Sequence, residues 1–138
     1  MVATVAYRGG VAVSSAPERF GVFRLNEEVR TPGEILAHIG DLLEGSIHLL
    51  KGELVHLNSS PLQWDDEVSR FFSAAMRLDS FLASDAPLAY PVEKLVQGPV
   101  GDALTHVGQL VMLRRVAGSP VSAESYFTAE IIPGMFKD

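Results

Sequence analysis

RTPGEILAHIGDLLEGSIHLLKG, residues 30–52, is the stretch that decides the fold. Thr31 can cap a helix, Pro32 suits a first helical position because no N–H is needed there, and Glu34 can bond back to the cap. Gly52 follows Lys51, where a left-handed residue ends a helix. At about 100° per residue, Ile35, Leu36, Ile39, Leu42, Leu43, Ile47, Leu49 and Leu50 form one broad apolar arc. Asp41, Glu44, His48 and Lys51 take the opposite side. The spacing predicts a helix over 32–51 whose face is too wide to stand alone.

Working outward, WDDEVSRFFSAAMRLDSFLAS begins at Trp64. Trp64, Val68, Phe71, Ala75, Leu78 and Leu82 step by fours and threes, the period of a bundle helix over 64–84. Asp65, Asp66 and Glu67 fall in its first turn, where the helix dipole favours acids. A third helix is expected over 99–117, opened by Pro99 and closed by Gly118 and Pro120. It is apolar almost all round, which predicts a central position. MVATVAYRGGVAVSSA mixes strand-forming Val and Thr with Gly9-Gly10, yet its length suits a helix within 2–16. PVEKLVQ can form a short helix before Gly98, and one helical turn is expected near Ser122–Tyr126 in an otherwise extended tail. The whole reads as one all-α domain, 1–138: an up-and-down four-helix bundle with short connections, extra helical turns and an irregular C-terminal tail.

Composition narrows the function classes. Hydrophobic residues make up 47% and charged residues 20% of 138 residues, which describes a globular chain. The net charge is −6, and the longest basic run is Arg114-Arg115, which speaks against nucleic acid as a partner. The absence of cysteine excludes disulfides, thiolate metal sites and a cysteine nucleophile, and it fits a reducing cytoplasm. MVATVAYRGG has no charged n-region, so no signal peptide is expected. The uncharged run from Ala103 to Leu113 is far below the ~20 residues that span a bilayer, so no membrane role is expected.

GDALTHVGQLVMLRR, residues 101–115, places Asp102 and His106 four apart among Ala, Leu, Val and Met. Residues at that spacing project from one helix face, about 6 Å apart, and two ligands so placed can share a metal with a third from another helix. His38, at the margin of the first apolar arc, is the natural third. Two other readings stand beside this one. His106 can be a core histidine that donates to a carbonyl, and Asp102 can form a buried ion pair with Arg8, Arg70 or Arg77. A buried carboxylate costs several kcal/mol unless compensated, so a buried Asp102 requires some partner. His48, beside Asp41 and Glu44, reads as a surface histidine, and His56 in GELVHLNSS as a loop histidine.

TPGEILAHIGDLL followed by GDALTHVGQLVMLRR resembles the DinB-like superfamily of small four-helix-bundle proteins, which includes YfiT-type and maleylpyruvate-isomerase-type members. The likeness runs from YRGG to RRVAGSPV, and HVGQL resembles the HRGQ that marks the family's last ligand helix. The resemblance implies that His38, Asp102 and His106 bind a divalent metal. Most relatives carry His at the position of Asp102, whereas the maleylpyruvate-isomerase-type members carry a carboxylate. It also implies enzymes that use low-molecular-weight thiols in transfer or isomerisation, and a homodimer, with Arg114 and Arg115 near its rim.

Two imidazoles and one carboxylate leave a coordination position open, as catalytic sites do. That position can activate water for hydrolysis or accept a substrate thiolate. The set suits zinc, nickel or iron. Asp41 and Gln109 are candidate partners for the second nitrogen of each imidazole. The expected function is a metal-dependent thiol transferase, isomerase or hydrolase acting on a small molecule. The alternative is a non-catalytic helical-bundle dimer whose polar trio is vestigial or structural.

Overall fold

Local signals set the ends of the helices. In the computed structural model, which describes residues 1–136, the Thr31 hydroxyl accepts from the Glu34 amide (3.2 Å) and the Glu34 carboxylate accepts from the Thr31 amide (3.1 Å). This reciprocal cap starts α2, Pro32–Leu50. Gly52, at φ +79°, turns the chain away after Lys51. The other helices are α1 (Val2–Val13), α3 (Trp64–Ala83), the single-turn α4 (Glu93–Gln97) and α5 (Pro99–Val116). All six ends of α2, α3 and α5 agree with the expected spans to within one residue. α1 stops short of 16 because Ser15 takes a left-handed φ of 57° just before Pro17. Among the described residues there is no strand, and no helix is long and apolar enough to cross a membrane. The expected turn at Ser122–Tyr126 lies slightly later, where the Ser125 carbonyl accepts from Thr128 and Ala129.

The long helices pack as a bundle. α2 lies against α3 and α5, and α1 against the same two, so α1 and α2 occupy opposite corners although they are consecutive in the chain. The connections are therefore not the short turns that the sequence suggests. Segment 14–31 crosses one end of the bundle and carries a 3-10 helix, Glu18–Val22. Its Phe20 is buried edge-on against Trp64, with ring centroids 5.3 Å apart. That contact plugs the bundle end and makes the crossover part of the core. Val5, Ile35, Leu36, Ile39, Leu43, Phe71, Leu78 and Leu110 fill the centre with almost no exposed surface.

α5 departs from the expected all-round burial. Thr105, Gly108, Gln109, Met112, Arg115 and Val116 face outward, because α1, α2 and α4 cover only part of its circumference. Arg114 does not lie at a rim. It is 4% exposed and donates to the carbonyls of Ala12 (2.8 Å), Ser14 (3.0 Å) and Ser119 (2.7 Å). Ala12 and Ser14 lie at the end of α1, where the helix leaves carbonyls unpaired and a cation suits the helix dipole, whereas Ser119 belongs to the turn that follows α5. Burial lowers the Arg114 pKa below its ordinary value.

α1 packs tightly against α3 at Gly9, where an added Cβ would stand 2.4 Å from Phe71 Cζ. Phe71 has no exposed surface and no room to withdraw. Overpacking costs about 1–3 kcal/mol, against a helix-propensity gain of about 1 kcal/mol for Gly→Ala. Gly9→Ala is therefore expected to lower stability in urea unfolding. Gly108 on α5 has nothing within 4 Å of an added Cβ, so Gly108→Ala should instead raise stability by about 0.5–1 kcal/mol. The same sign for both substitutions would contradict this packing.

Candidate metal centre

The packing of α2 against α5 brings His38 beside Asp102 and His106. One ligand atom from each residue lies within 4.8 Å of the others. His38 Nε2 is 3.6 Å from Asp102 Oδ2, too far for a hydrogen bond. It is close to the edge of a tetrahedron with metal bonds of about 2.0–2.1 Å, roughly 3.3 Å. His106 Nδ1 is 2.8 Å from the Asp102 carbonyl oxygen. A carbonyl only accepts, so Nδ1 carries a proton and donates, which leaves Nε2 as the nitrogen that could face a metal. The two imidazole rings meet edge to face, 4.7 Å between centroids. Two imidazoles and a carboxylate at these separations form a donor set that could hold a divalent metal.

Burial, the neighbouring His106 and the Arg30 charge lower the His38 pKa below its ordinary 6.5, against the opposing pull of Asp102. His38 is therefore neutral near pH 7, the form that binds a metal. Among the described residues, the alternative ion pair of Asp102 with an arginine is not formed. Arg8 lies over the Tyr126 ring at 4.3 Å, Arg70 pairs with Asp41 and Glu67, and Arg77 pairs with Glu44. Asp102 does not need such a partner, because 47% of its side-chain surface is exposed. The apolar residues around it in sequence point elsewhere, so the desolvation cost never arises. The core-histidine reading accounts for the carbonyl bond of His106 but leaves the approach of His38 and Asp102 unexplained.

The remaining candidates fall outside the trio. His48 pairs with Glu53. Gln109 is exposed and makes no side-chain hydrogen bond among the described residues, because its side of α5 is the uncovered one. Asp41 is not on a solvated face. It is buried under the 51–63 connection, where its carboxylate accepts from the Ser59 amide (2.8 Å), the Ser59 hydroxyl (2.7 Å) and Arg70. Its oxygens are thus committed and do not reach an imidazole. Arg70 also bonds Glu67, which is fully buried and accepts from the Leu62 amide (2.9 Å). Sequence reasoning placed Glu67 among the dipole-favoured first-turn acids. Its i, i+3 spacing to Arg70 was the available signal.

A cleft of about 260 Å³ adjoins His38, walled by α2, the 51–63 connection and Pro99. A slightly larger cavity of about 300 Å³ lies between α1 and residues 130–136, with no trio residue in its wall. Searches of protein-family models, curated proteins and solved structures each find no match for the chain.

The Asp41 network generates a pH prediction. Burial alone would raise the Asp41 pKa, but the Ser59 hydrogen bonds and Arg70 outweigh it and hold the carboxyl below its ordinary value. A lowered folded-state pKa contributes stability above the unfolded value of about 3.9, and that stability is lost as pH falls through the folded value. Asp41→Asn should lower stability near pH 7 by the low end of the about 3–5 kcal/mol of a broken buried pair, because Arg70 retains some exposure. It should also flatten the loss of stability below pH 4. Unfolding midpoints measured from pH 7 to pH 2.5 check both expectations.

Proposed function

We propose that the chain is a divalent-metal-dependent enzyme with a His38–Asp102–His106 centre, of the DinB-like type. The reaction is a thiol-dependent transfer or isomerisation, or a hydrolysis, on a small molecule in the cytoplasm. The convergence of the three donor atoms within 4.8 Å supports this reading. They come from two helices and lie at a half-exposed seam rather than in a sealed core. A divalent ion held there, zinc, nickel or iron, supplies Lewis acidity and an exchangeable position. His106 keeps its ring oriented through the Asp102 carbonyl, and His38 presents a neutral nitrogen. Asp102 brings the negative charge that offsets the cation. The chain has no cysteine, so a sulfur ligand comes from the substrate side.

The test is cobalt(II) titration of metal-free protein followed by visible spectroscopy. One ion per chain is expected, with His38→Ala, Asp102→Ala and His106→Ala each losing it. A small thiol should add a sulfur-to-cobalt charge-transfer band. If cobalt binds at the trio and no thiol perturbs it, hydrolysis becomes the reading. If no ion binds there, the non-catalytic bundle replaces the enzyme. We also propose a homodimer, supported by the exposed apolar side chains Met112 and Val116 on α5. Light scattering at micromolar concentration should give twice the chain mass, and a monomer mass contradicts it.

A further inference from the structure

The cleft beside His38 has a wall that the metal ligands do not account for. Leu42 and Leu49 of α2 face Val55 and Leu57 of the 51–63 connection, and His56 stands among them. This part of the connection is held at both ends. The Glu53 amide donates to the His48 carbonyl (2.9 Å), while Ser59 and Leu62 are tied to Asp41 and Glu67. Residues 54–58 therefore bridge a fixed gap. Asp41 also lines the cleft, but its charge is neutralised by Arg70. His56 makes no side-chain hydrogen bond or ion pair among the described residues.

We propose that this cleft selects the substrate, which carries an unbranched aliphatic chain. The chain lies along Leu42, Leu49, Val55 and Leu57, and His56 hydrogen-bonds to the polar head beside His38. This rests on the metal-centre reading for the position of the head but not for the site of the chain. The wall holds no lysine or arginine and its one carboxylate is already paired, so a charged body gains little there, whereas an alkyl chain gains from every methylene it buries. The volume, about 260 Å³, lies just below the about 300–1,000 Å³ of pockets for drug-sized ligands, which restricts the occupant to a small molecule. The cleft remains open on the α2 side because Gly45 has no side chain, and an added Cβ there meets nothing within 4 Å.

The experiment uses alkyl hydroxamates, which chelate a metal whatever its reaction. Aceto-, butyro- and hexanohydroxamate are titrated into cobalt-loaded protein. Affinity should rise about twofold to fourfold per added methylene. Gly45→Leu, which puts side-chain volume into the cleft at a position where an added Cβ meets nothing within 4 Å, should abolish that rise and leave acetohydroxamate binding and the cobalt spectrum unchanged. His56→Leu should weaken all three by about threefold to tenfold, the loss of one hydrogen bond. Equal affinities along the series in the unsubstituted protein overturn the proposal while leaving the metal centre intact. Failure of cobalt to bind at the trio overturns the metal reading instead. The cleft is then judged on metal-free protein by NMR with 1-hexanol. Saturable shifts at Leu42, Leu49 and Val55 that vanish in Gly45→Leu sustain the chain site, and their absence ends it.

Discussion

Everything in this molecule follows from the need to cover the apolar face of α2. Ile35, Leu36, Ile39, Leu43 and Leu50 are almost completely buried on that one helix. Burying each is worth about 1.5–3 kcal/mol, a large total against the usual marginal stability of a domain. α3 and α5 supply the cover, one on each flank. Each flank then acquires its own polar seam. His38 lies on the α5 side and meets Asp102, while Asp41 lies on the α3 side and meets Arg70. Three residues along a helix turn through about 300°, which leaves the two side chains only about 60° apart, so His38 and Asp41 share one side of α2 and line the same cleft while reaching to different neighbours.

The two seams solve different electrostatic problems. On the α3 side, charged groups are buried and must be satisfied. Glu67, Arg70 and Asp41 form one connected set whose oxygens also take the Ser59 and Leu62 amides. A half-satisfied network of this kind would cost more than an apolar one. Its product is a rigid 51–63 connection. On the α5 side the groups remain partly exposed, and no arginine is spent on Asp102. The Asp102 carboxylate stands between two imidazoles rather than against a guanidinium, so its oxygens stay accessible.

Arg114 follows the same logic at the other end of α5. A guanidinium with no carboxylate beside it would be costly in a dry core. Here it meets the carbonyl end of α1, where the helix leaves acceptors unpaired and the dipole is negative. It also stacks toward Phe20, at 5.7 Å from the ring centroid. One side chain thus ties α5 to the end of α1 and to the crossover segment that plugs the bundle.

Local signals in the chain specify the helices and put two of the three candidate ligands on one helix face. Capping at Thr31, Pro at positions 32 and 99, and Gly at positions 52 and 118 are local signals that act within a turn, so the chain displays them directly. The spacing of Asp102 and His106 is legible for the same reason, since a helix converts four residues into one face. Pairing His38 with them drew on the family resemblance as well as on its place at the edge of the arc. Only the tertiary structure decided what each polar group meets. Asp41 sits on a helix position that periodicity assigns to solvent, and Glu67 is a first-turn acid at the margin of the apolar stripe; both are buried, with their carboxylates tied to the connection at Ser59 and Leu62. Asp102 and Gln109 sit in an apolar run and are exposed because neighbouring helices cover only part of α5. The corner arrangement of α1 and α2 was equally illegible, because a crossover that packs its own Phe20 into the core has no local period to announce it. Burial depends on what arrives from far along the chain, and a single helix carries no record of that.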